Sequence, residues 1–349
     1  MGVWYCTRED VKSALDFNET ARNNGQIDRA IASASRSIEG LCRRVFYPQT
    51  ATRYFDWPNE QTARSYRLWL NSNEVISVSA LTSGGVLLDP ADYDLRRSDD
   101  LDQAPYTRIE IDLSGNASFS AGSTFQRSVA VTGLFGYRDD ETPLGVTVEA
   151  LDASETGVDV DGPTAASVGV GSLLRIDDER LLVTGRSVLD TGQNLQTPVE
   201  ANKSQTTIAV ADASGFSAGE VILLDAERML IADVAGTNLI VQRAWDGTPL
   251  AAHTGSDVYA YRTLTVTRAG LGTTAASHTS STPVLRFDFP GLVRELCVAE
   301  AVNALMQESS GFARLVGSGD NEREMQGKAL RDIRQQAVAS YGRLRIEAV

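Results

Sequence analysis

The chain carries a repeat that is nested rather than tandem, and this restricts its fold more than any other feature. Gly171–Val183 aligns without gaps on Gly219–Ile231, 48 positions later, with Gly, Asp, Glu, Arg and Leu recurring in place. Leu239–Ser256 aligns in the same way on Leu264–Ser281, and 10 of these 18 positions are identical. The order along the chain is therefore front half, complete copy, back half. The economical explanation is one β module, about 159–186 plus 263–284, interrupted at a hairpin tip by a second copy of itself, about 206–262. Exposed tips tolerate insertions because few buried contacts are cut there. In each copy the Asp-x-Glu-Arg stretch is expected to turn between two apolar strands, and the Gly-Thr-x-x-Ala-x-His-Thr stretch to form a long ordered loop.

The surrounding sequence has another texture. Thr7-Arg-Glu-Asp10 is a helix start signal, followed by Val11, Ala14 and Leu15 at helical spacing. A second helix is predicted over about 26–43, with Ile27, Ala30, Ile31, Ala34, Ile38 and Leu41 on one stripe. From Thr52 to Tyr137 short β-type runs alternate with turn residues. Helical spacing returns after Pro290, over about 292–306, and again over about 321–344. The expected fold class is thus α+β: a discontinuous helix-rich core of residues 1–146 and 286–349 with a small antiparallel β unit, and an inserted all-β domain, 147–285, made of the two nested modules. That inserted stretch holds 17 acidic against 8 basic residues, so it supplies −9 of the net charge of −14.

The acidic balance has the wrong sign for gripping nucleic acid, where cationic side chains supply most of the binding free energy. No apolar run approaches the roughly 20 residues needed to span a bilayer, and the N-terminal residues lack a signal-peptide pattern. Assembly in a cytoplasm is therefore expected. Cys6, Cys42 and Cys297 are odd in number and without metal-ligand spacing, and read as buried thiols. His253 and His278, the two histidines, fall at the same place in the two copies. They and Arg243 and Arg268, also equivalent, read as loop-fixing residues rather than reacting groups. Asp177, Glu179, Asp225 and Glu227 recur likewise; without the spacing of a calcium loop they fit a salt bridge to the adjacent arginine. No phosphate-binding glycine motif or nucleophile elbow is complete. No catalytic, metal or cofactor site is expected, and the chain is not read as an enzyme.

Outside the insertion the residues resemble a known family. Thr7-Arg-Glu-Asp-Val-Lys12, Ile27–Glu39, Cys42–Pro48, Arg53-Tyr-Phe-Asp56 and Val129–Tyr137 together are similar to the head-to-tail adaptor (connector) proteins of long-tailed bacteriophages. The resemblance implies a structural virion protein of the neck. Such a subunit forms a ring beneath the portal, with twelve copies, prolongs the DNA channel and links capsid to stopper and tail. Its partners would be the portal protein, a stopper or tail-completion protein, further copies of itself and passing genomic DNA held without specific binding, with no membrane involved. Family members dock on the portal through C-terminal segments, which here implicates about 311–349. There, a basic arm with Arg331, Arg334 and Arg343 and the aromatic residues Phe312 and Tyr341 are the candidate portal interface. Competing readings are another tail or surface-decorating component, or a carbohydrate-binding or hydrolytic virion protein.

Overall fold

Thr7 starts the first helix in the way its neighbours dictate. Its hydroxyl accepts the Asp10 N–H and the Asp10 carboxylate accepts the Thr7 N–H, a reciprocal cap that opens α1, Arg8–Ala14. Helix α2, Asn24–Cys42, buries the stripe Ile27, Ala30, Ile31, Ala34 and Ile38. Asp161 caps the short α3, Gly162–Ser167, with Pro163 in its first turn. Helix α4, Gly291–Ser309, buries Val293, Leu296, Cys297, Ala301 and Leu305, and α5 spans Lys328–Tyr341. The computed structural model describes residues 2–15, 24–58, 64–97, 103–309, 315–316, 323–324 and 328–343. It divides into two units, Met1–Ile38 with Glu141–Ala337, and Glu39–Asp140 with Val338–Val349.

The helix-rich connector core is not what forms. The chain is mostly sheet, 37% strand against 23% helical, with five α-helices among the described residues, so the expected fold class is corrected to one dominated by large antiparallel sheets. The physical reason lies in the period of the apolar residues. Val129–Phe135 alternates buried and half-buried positions along its length, and it is hydrogen-bonded on both sides, to Gln49–Phe55 and to Val75–Ser83. Three- and four-stranded sheets in the second unit close over Leu70, Val75, Leu81, Ile109, Val129, Val131 and Phe135. The last helix is also shorter than expected. It begins at Lys328, and of Met325, Ala329, Leu330, Ile333, Ala337 and Tyr341, the residues whose helical spacing predicts one buried stripe, Ala337 is buried, Leu330, Ile333 and Tyr341 are half-buried and Ala329 is exposed; Met325 lies outside the described residues.

The first unit contains a ten-stranded sheet in which both modules run in the same order. In the second module the strands Thr207–Ala209, Val221–Leu224, Glu227–Ala235, Asn238–Gln242 and the start of Asp257–Gly270 are paired first to fourth, fourth to third, third to second and second to fifth. In the first module Gly157–Asp159, Leu173–Ile176, Glu179–Asn194, the end of Asp257–Gly270 and Pro283–Phe287 repeat that order. Strand Asp257–Gly270 is therefore the fifth strand of one module and continues as the fourth of the other. The cores correspond too: Leu174, Ile176, Leu181 and Val183 in the first, Ile222, Leu224, Met229 and Ile231 in the second. The first module reaches further back than residue 159, because Leu151 bridges His278 as Val199 bridges His253.

Candidate functional site

Each module closes on a buried cluster built from its hairpin turn and its long loop. The turn is two residues, with Leu224 paired to Glu227 and Asp225 in the left-handed region at φ 52°. An aspartate tolerates that conformation better than most side chains. The turn aims Glu227 inward, where its carboxylate accepts five hydrogen bonds. Two come from Arg243, both at 2.8 Å, two from the N–H groups of Ala244 and Ala251, and one from His253 Nε2 at 2.9 Å. His253 Nδ1 faces Asp225 Oδ2 at 2.7 Å. The side chains of Arg243, Glu227 and His253 are wholly buried.

The first module repeats every bond. Glu179 accepts from Arg268 at 2.8 and 2.7 Å, from the N–H groups of Ala269 and Ala276, and from His278 Nε2 at 3.0 Å, while His278 Nδ1 faces Asp177 at 2.7 Å. Arg243 and Arg268 also donate to the carbonyls of Ala251 and Ala276, which pins each long loop to its hairpin. Burial alone would push the two glutamates up, but the arginine, histidine and backbone donors outweigh it and hold each carboxyl at about 2. Each imidazole is thus held by both nitrogens between two carboxylates. Among the described residues no group of three or more His, Cys, Asp or Glu side chains is placed to hold a metal ion.

One detail differs from the sequence reading. The arginine adjacent to the glutamate is not its partner: Arg228 turns instead to Asp246 at 2.6 Å and to the Tyr261 hydroxyl at 2.7 Å. The partner comes from 16 positions on, or 89 in the interrupted copy. The repeat alignment names Arg243 and Arg268 as equivalent, yet nothing in linear spacing pairs them with a carboxylate.

A cavity of about 690 Å³ in the first unit was not legible in the sequence. It is lined by α1 and by the second module, and its walls carry Arg8, Lys12, Arg186, Lys203 and Arg228 against Glu9 and Asp246, with Trp245 and Tyr261. Most of this charge is already spent. Arg8 pairs with Asp28, and Lys12 and Arg228 share Asp246. Arg186 differs: one terminal nitrogen donates to the carbonyls of Ala165 and Tyr261, and among the described residues no carboxylate lies within ion-pair distance. Burial lowers its pKa from the ordinary arginine value, with Glu9 opposing the shift, and burial raises the pKa of Glu9. The cavity's hydroxyls are those of Ser13, Thr206 and Tyr261, and the last is held by Arg228.

No family model, curated protein or solved structure matches the chain. Of the candidate portal contacts, Phe312 lies outside the described residues and Arg331 is exposed. The others are engaged within the chain. Arg334 pairs with Glu300 at 2.7 Å, and in the second unit Arg343 pairs with Glu74 at 2.7 Å. Tyr341 stacks edge-on against Phe46 and Tyr137, with ring centroids 5.6 and 5.7 Å away. Among the described residues no helix is long and apolar enough to cross a membrane.

Proposed function

We propose that the chain is a structural virion protein, a head-to-tail adaptor that joins a portal ring to the parts below it. The observation that carries this reading is the pairing of two segments that resemble connector proteins. Arg53-Tyr-Phe55 and Val129–Phe135 are neighbours in one sheet, in an unbroken register from Gln49 opposite Phe135 to Phe55 opposite Val129. Two further observations favour a scaffold over a catalyst. Both histidines and their carboxylates are consumed in clusters that fasten loops. In the second unit Tyr54, Val86, Leu87, Leu113 and Phe125 remain exposed, which supplies apolar surface for packing between subunits.

The engaged state of Arg334, Tyr341 and Arg343 moves the proposed portal contact onto the exposed face of α5, where Arg331 stands. Mixing the purified chain with isolated portal rings tests the reading. Rings of added density beneath the portal in negative-stain images, with twelve subunits, are expected. A chain that stays monomeric and sediments apart from portals would overturn it. The nested modules favour one alternative, a tail or surface-decorating component, and gold-labelled antibody binding along the tail or capsid rather than at the neck would select it.

A further inference from the structure

Cys6 and Cys297 are 291 positions apart, and the fold sets their sulfur atoms 3.2 Å from one another. Cys6 ends the buried segment Val3–Cys6, immediately before the cap of α1, and Cys297 lies in the second turn of α4. Ser35 of α2 completes the site. Its hydroxyl lies 3.5 Å from the Cys297 sulfur, accepts the Tyr5 N–H at 3.1 Å and reaches the Ile31 carbonyl at 2.8 Å. Thiols are weak donors and weak acceptors, so the pair contributes little as a hydrogen bond. What it offers is proximity: the sulfurs need to close by only about 1 Å to reach bonding distance.

We propose that Cys6 and Cys297 are a redox modification site, which a small disulfide converts into an intramolecular disulfide fastening the N-terminal segment to α4. The two sulfurs have different parts. Cys297 accepts from the Cys6 thiol, which lowers its pKa against the effect of burial, with the Ser35 hydroxyl and the Tyr5 N–H assisting; the pKa of Cys6 is raised by the same hydrogen bond and by burial. Cys297 therefore supplies the thiolate. It attacks one sulfur of the small disulfide, whose S–S bond breaks, and the departing thiolate takes up the proton that Cys297 released. Cys6 then loses its proton to solvent and attacks the Cys297 sulfur of the mixed disulfide, expelling the second small thiol. Two protein thiols and one disulfide become one protein disulfide and two small thiols. Both sulfurs are buried, so the reaction waits on local opening of the N-terminal segment and is slow in the folded protein.

Fully reduced protein would be incubated with oxidised glutathione in two arms, one native and one during refolding from urea, then alkylated and digested with trypsin without reduction. The expected product is a linked pair of peptides, Met1–Arg8 with Glu295–Arg314, absent from Cys6→Ala and Cys297→Ala and released by dithiothreitol. The crosslinked protein should also melt higher, by on the order of 10 °C, because a loop of this length is costly to close in the unfolded chain. Recovery of both peptides separately alkylated in both arms would overturn the proposal. So would glutathione retained on Cys297 without the link, or a midpoint unchanged by linking.

Discussion

Replacing Glu227 by Gln keeps the shape of the side chain and removes the charge on which a buried cluster depends. Arg243 and His253, both wholly buried, then face an amide whose nitrogen is itself a donor, and among the described residues no other carboxylate lies within bonding distance of the guanidinium. Removing one partner of a buried ion pair costs about 3–5 kcal/mol, because the other charge stays out of water uncompensated. For a domain of 150–250 residues each kcal/mol moves the melting midpoint by about 2–4 °C. Glu227→Gln should therefore lower the midpoint of the first unit by roughly 6–20 °C in differential scanning calorimetry. It should also speed amide exchange at Ala244 and Ala251, whose N–H groups lose a charged acceptor. Adding Arg243→Met should recover part of the loss, since the uncompensated charge goes with it. A cost under about 1 kcal/mol, or a double variant less stable than the single one, would refute the argument that the cluster is held by its charge.

Acid should act through both clusters at once. The folded carboxyls of Glu179 and Glu227 sit near 2, below the ordinary value of 4.5, so the folded state binds fewer protons; their contribution is complete above about pH 4.5 and is lost as pH falls towards 2. Urea midpoints measured from pH 6 to pH 2.5 should fall most steeply in that window, and the fall should be shallower in the Glu179→Gln/Glu227→Gln protein. Gly171→Ala should destabilise the first unit by at least about 2 kcal/mol more than Gly219→Ala, its equivalent. Both sit at positive φ, 102° and 96°, but a Cβ at 171 would lie 2.6 Å from the Trp4 ring and one at 219 meets nothing nearer than 3.3 Å; equal midpoints for the two variants would remove the role given to Trp4. On the proposed function, Arg331→Glu should weaken portal co-sedimentation at least tenfold without moving the melting curve, whereas Arg343→Glu, which breaks the pair with Glu74, should lower the melting midpoint first.

The sequence made some of this legible and hid the rest for identifiable reasons. Gap-free repeats locate equivalent residues, so the correspondence of His253 with His278 and of Arg243 with Arg268 could be read before any coordinates. Capping chemistry is local, and the Thr7–Asp10 start of α1 is legible for that reason. Glu227 and Arg243 meet because the strands Glu227–Ala235 and Asn238–Gln242 pair as a hairpin, whereas Glu179 and Arg268 meet across 89 positions, and no local spacing marks either contact. The proximity of Cys6 to Cys297 is hidden in the same way by 291 positions of chain. The expectation of a helix-rich core failed because the β runs between Thr52 and Tyr137 close into two sheets over an apolar core of their own, so that sheet outweighs the helical stripes on either side. The C-terminal stripe failed because a helix face can be apolar in pattern and still be left uncovered, as Ala329 is.

The sharing of strand Asp257–Gly270 between two modules sets an order of events as the chain leaves the ribosome. Everything the second module needs is contiguous, from Val199 to Ala260, so its loops are short and close early. The first module cannot finish until its own back half has been made, because Leu182 pairs with Thr267 and Ile176 with Val284, each across the whole inserted copy. Its front strands must wait with an unsatisfied edge while the copy within them folds. Once folded, that copy brings the ends of the interruption together: Asn194 is already paired with Asp257 and Leu189 with Ala260, so the next residues of the shared strand are delivered in register beside Arg186 and Val183. The inserted module is in this sense a template, and a fault in it should leave the outer module unassembled rather than merely undecorated.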